Sequence, residues 1–135
     1  MLVDPEALVV RFRPTSPESV LNSVAKEFRY SGRNLASVFA DVARAGEGDA
    51  QVLQRILRSA NRVGMTPERH SKFWVCAQAG ELMNRGFSFV KDGYDGEPDL
   101  HYSVDFGPDV TLDDVERFLS AFDEGRRQDA YLNPD

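Results

Sequence analysis

Residues 8–12, Leu-Val-Val-Arg-Phe, are a short β-branched and aromatic run closed by Pro14 and Pro17, the composition of a strand. Ser16 then stands where an N-cap belongs, with Pro17 as first helical residue, ahead of Val20, Leu21, Val24 and Phe28. This predicts a first helix that stops near Gly32. Leu35, Val38, Phe39 and Val42 fall at i, i+3, i+4 and i+7, which predicts a second helix stopped by Gly46. A third, capped by Asp49, carries Val52, Leu53, Ile56, Leu57, Ala60 and Val63 and ends at Gly64.

Thr66-Pro67-Glu68 opens a fourth helix that runs to Gly86. Its residues 73–77 are apolar all round, the signature of a central, buried helix, and Gly80 inside it predicts a neighbour close to the backbone. Residues 87–90 and 100–106 predict two strands of a hairpin. In the second, Leu100, Tyr102, Val104 and Phe106 share a face by simple alternation. Thr111, with Asp114 three residues on, caps a fifth helix along Leu112, Val115, Phe118, Leu119 and Phe122.

The segregation of strands from helices predicts an α+β fold: a bundle of four helices, a β-hairpin and a C-terminal helix. Two strands alone are marginal, so the N-terminal strand is expected to join the hairpin in a three-stranded antiparallel or mixed sheet. No linker divides the chain, so 1–125 reads as one domain and 126–135 as a polar, flexible tail.

Composition sharpens this picture in three ways. The chain has 135 residues, enough to bury a real core without staples, and its single cysteine, Cys76, fits a reducing compartment. The longest apolar run is far below the roughly 20 residues that cross a bilayer, and the N-terminal segment lacks the features of a signal peptide. A cytoplasmic location away from membranes is expected. Net charge is -6 but unevenly spread: residues 1–90 hold 12 Lys plus Arg against 9 Asp plus Glu, whereas residues 91–135 hold 4 against 13.

Motif chemistry is sparse. Gly46-Glu47-Gly48 lacks the third glycine of a dinucleotide fingerprint and follows no predicted strand, and P-loop, HExxH, GxSxG and CxxC motifs are absent. The loop acids Asp92, Asp95, Glu97 and Asp99 lack EF-hand spacing, so neither metal nor cofactor is expected.

Three constellations remain. Arg55, Arg58 and Arg62 share one face of the third predicted helix, an anion-binding candidate for an acidic protein surface or nucleic acid, or else an ordinary solvated face. His101, Ser103 and Asp105 alternate along one strand and project from one face, a candidate general base, ligand contact and orienting acid on what is expected to be an open polar face. Neighbours there are about 7 Å apart, too far for a good relay. Asp109, Asp113, Glu116, Asp123 and Glu124 form an acidic candidate surface, while Asp114 is absorbed by the cap.

The leading expectation is a small protein-binding domain of the inhibitor, immunity-type or regulatory kind, acting through that acidic surface on a partner with basic character, and not an enzyme. A homodimer, in which acids meet the Arg face, is a second form of the same idea. The alternative is a small hydrolase or nuclease-like enzyme using His101 and Asp105. Nucleic-acid binding through the Arg face comes third.

Overall fold

A computed structural model of the chain describes residues 3–13, 15–65, 73–91, 100–123 and 126–127. Among these, β1 (Leu8–Arg11), α1 (Pro17–Ser31), β2 (Leu35–Asp41), α2 (Asp49–Arg62), β3 (Phe73–Gln78), α3 (Ala79–Asn84), β4 (Ser88–Lys91), β5 (His101–Asp105), α4 (Leu112–Leu119) and β6 (Arg126–Arg127) follow in order. The fold is α+β. Its sheet is antiparallel, in the order β4-β5-β2-β1-β3, with the two-residue β6 added at the β3 edge.

Helices cover both faces of this sheet. On one face α1, α3 and α4 bury Val20, Val24, Leu82, Val115 and Phe118 against Val9, Val38 and Val104. On the other, α2 buries Val52, Leu53, Ile56 and Leu57 against Val10, Phe39, Trp74 and Cys76. Alternation along β1 thus divides two adjacent valines between two cores.

This architecture corrects the expected helical bundle with a three-stranded sheet. The segment read as a second helix is β2, a strand buried on both faces, and strands of that kind lose the polar alternation that would identify them. Leu35 and Phe39 sit on one face and Val38 and Val42 on the other, so two strand faces superimposed mimic one helical stripe. The apolar 73–77 run is likewise β3, with Trp74 and Cys76 on the α2 side. Within the described part of the expected fourth helix only the six residues of α3 are helical, and 66–70, its expected start, lie outside the described residues. The N-terminal strand does not join the hairpin either: β1 lies between β2 and β3, and β2 separates it from β5.

The first, third and fifth predicted helices form as α1, α2 and α4. Gly32 takes φ 77° at the end of α1, where its amide meets the Phe28 carbonyl at 2.8 Å. Gly48 rather than Asp49 is the N-cap of α2, its amide donating to Gln51 Oε1 at 2.7 Å. The close neighbour of Gly80 is Pro5, whose carbonyl accepts the Gly80 amide at 2.8 Å. Of the segment read as a tail, Arg126–Arg127 pair with Trp74 and Phe73, and 128–135 lie outside the described residues.

Candidate functional site

The β5 residues share a face as alternation requires, but that face is not open. His101 and Ser103 are 8% and 2% exposed, on the α2 side of the sheet, where His101 meets the Phe39 ring edge-on at 5.1 Å between centroids. The expected open polar face is therefore corrected, because β5 pairs on both sides within a covered sheet. Asp105 is committed elsewhere: Oδ2 accepts from Arg33 Nη2 at 3.0 Å and Oδ1 from the Gly107 amide at 2.8 Å. These contacts close the turn after β5 and hold the start of β2 beside it. The carboxylate is not placed to orient His101.

The Arg face of α2 divides into one structural residue and two surface ones. Arg55 donates from Nε to Asp41 Oδ2 at 2.6 Å, from Nη1 to Glu47 Oε2 at 2.6 Å, and from Nη2 to the Val42 carbonyl at 3.1 Å. The end of β2, the turn after it and α2 are thereby joined through one guanidinium. Hydrogen bonding from Arg55 pulls the Glu47 carboxyl down to about 2, and the two carboxylates raise Arg55 further above its ordinary range. Arg58 and Arg62 remain exposed, along a groove with Gln51 and Asn61. Among the described residues, the acids that engage this face are Asp41 and Glu47, and none comes from the C-terminal third.

The acidic residues separate in the same way. Thr111 Oγ1 accepts from the Asp114 amide at 3.3 Å, while Asp114 Oδ2 accepts from the Thr111 amide at 2.9 Å and Oδ1 from Arg117 Nη1 at 3.0 Å. The Thr111 amide bond leads the effects that lower the Asp114 pKa. Asp123 serves the β3 edge: its Oδ1 accepts the Cys76 amide at 2.9 Å, and its own amide donates to the Cys76 carbonyl at 2.8 Å. Asp109, Asp113 and Glu116 are exposed, and beside them Leu112 is 37% exposed. Glu124 lies outside the described residues, as do His70 and the loop acids Asp92, Asp95, Glu97 and Asp99.

Among the described residues, no group of three or more His, Cys, Asp or Glu side chains could hold a metal ion, and no helix is long and apolar enough to cross a membrane. One residue that the sequence pattern did not single out stands apart. Arg11, inside the β1 apolar run, is 3% exposed and its guanidinium meets the Ser37 carbonyl at 2.7 Å. The signal was a lone charge within a strand whose neighbours on both sides are apolar.

No family model, curated protein or solved structure matches the chain.

Proposed function

We propose that the chain is a protein-binding domain of the inhibitor, immunity-type or regulatory kind, and that the acidic start of α4 is its contact surface. The observation that carries this reading is the division of labour among neighbouring acids. Asp114 is consumed by the cap and by Arg117, whereas Asp113, Glu116 and Asp109 stay in solvent around an exposed leucine. The helix dipole favours acids near the N-terminus, so it rationalises Asp109 and Asp113 but not Glu116 in the second turn. Asp113 and Glu116 are also three residues apart, a spacing at which like charges repel by a few tenths of a kcal/mol. A basic partner surface relieves that repulsion and covers Leu112.

The hydrolase reading has lost its main support, since Asp105 pairs with Arg33. The nucleic-acid reading keeps only Arg58 and Arg62 of its three arginines as exposed residues.

The test reverses Asp113 and Glu116 to lysine and leaves the Thr111 and Asp114 cap intact. Reversing a first-turn acid opposes the helix dipole, so folding stability should fall, but by no more than about 1 kcal/mol. Association with a partner captured from the source cells, followed by stopped-flow fluorescence, should slow and lose its dependence on salt. An on-rate unchanged by the double reversal would refute the assignment of this surface.

A further inference from the structure

The two ladders flanking β1 are unequal in length. Pairing with β2 ends at Val10↔Phe39, whereas pairing with β3 continues to Arg11↔Val75. Beyond Val10 the sheet opens between β1 and β2. Ser37 lies past the end of the shorter ladder, and its carbonyl accepts from the Arg11 side chain. A groove of about 570 Å³ follows this opening, with Arg11 and Ser37 from the strands, Arg13 from the bend after β1, and Ser23, Lys26 and Tyr30 from α1 in its wall.

The chemistry of this groove is that of an anion site. Three cations face one carboxylate, Glu27, so the lining carries a surplus of two positive charges in a chain whose total is -6. The innermost cation is buried, where charge is costly and where an anion gains most from it. Burial pulls Arg11 down to about 10, while its guanidinium donates to the Ser37 carbonyl and lies 5.7 Å from the centroid of the Phe118 ring. Tyr30 at the rim is 92% exposed, an aromatic face presented to solvent beside the cations. The volume lies within the roughly 300–1,000 Å³ of small-molecule sites.

We propose that this groove binds an organic phosphate of nucleotide size, with its phosphate held by Arg11, Arg13 and Lys26 and its ring laid on Tyr30. Guanidinium groups recognise phosphate oxygens through paired hydrogen bonds, and serine hydroxyls at 23 and 37 supply further donors. The acidity of the whole chain disfavours a long polyanion and leaves a small one acceptable. This site lies apart from the α4 surface and does not depend on it.

Isothermal titration of the full chain with ADP, pyrophosphate and adenosine, without divalent cations, tests the assignment. ADP should bind, pyrophosphate more weakly, and adenosine at least about tenfold more weakly than ADP. Arg13→Gln with Lys26→Gln, both at exposed positions, should weaken ADP and pyrophosphate by about tenfold or more while the variant melts with the parent. Tyr30→Ala should weaken ADP several-fold and leave pyrophosphate unchanged. Arg58→Gln with Arg62→Gln on α2 should alter neither. The proposal is overturned if ADP fails to bind at low salt, if the 13/26 variant binds it as the parent does, or if the 58/62 variant loses as much. It is overturned equally if pyrophosphate matches ADP, or if a short single-stranded oligonucleotide binds where ADP does not.

Discussion

At the scale of single residues, Arg55 shows how one guanidinium can settle a connection. It holds Asp41, Glu47 and the Val42 carbonyl together, so Arg55→Met should leave two carboxylates facing one another and cost roughly 1–3 kcal/mol in urea unfolding. The pH dependence follows from the depressed Glu47 carboxyl. Its contribution is fully present above the ordinary value of 4.5 and is lost as pH falls through about 2, because the unfolded chain takes up the proton first. Glu47→Gln should therefore flatten the decline of the urea midpoint between pH 4.5 and 2. Asp114, also depressed, keeps part of the slope in that variant. Helical spacing correctly put Arg55, Arg58 and Arg62 on one face, but it could not show what faces them. Asp41 reaches Arg55 from the end of β2, a strand whose apolar spacing mimics a helix.

At the scale of elements, what was legible depended on burial. The helices α1, α2 and α4 each keep a solvent face, so their apolar stripes stand out, and the polar sequence 92–99 separates the runs that form β4 and β5. The strands β2 and β3 have little solvent face, and with it goes the polar half of their pattern. Their β-branched and aromatic content, Val38, Phe39, Phe73, Trp74 and Val75, was the remaining signal, and helical spacing outweighed it. The site candidates fared similarly: the cap formed by Thr111 and Asp114 was readable because it is local, whereas the groove beside Arg11 depends on how three distant elements meet.

Two element-scale substitutions are informative. Thr111→Ala removes the side-chain cap of α4 and should cost about 1 kcal/mol in thermal or urea unfolding. Gly80→Ala would be favoured by helix propensity by about 1 kcal/mol at most. A Cβ there meets the Pro5 carbonyl oxygen at 3.0 Å, however, and a backbone atom yields little. A lowered melting temperature is the expected sign, and a raised one would mean that residues 3–7 shift freely.

At the scale of the whole molecule, β1 carries both cores. Val9 and Val10 are completely buried, on opposite faces, with paired strands on either side. Their amides should exchange with solvent only through global unfolding, whereas amides of β4, an outer strand with one ladder, should exchange through smaller openings. Native-state hydrogen exchange at several urea concentrations separates the two.

The position of β1 also imposes an order on synthesis. Its partners are completed only when residues 41 and 78 have been made, so a nascent chain on the ribosome holds an apolar strand long before the second neighbour exists. A chain halted at Met65 would contain β1, α1, β2 and α2 while leaving one edge of Leu8–Arg11 bare, and bare strand edges recruit other chains. Cells making this protein must therefore carry it through at least thirteen further residues, from Met65 to Gln78, before its sheet can protect itself from its neighbours.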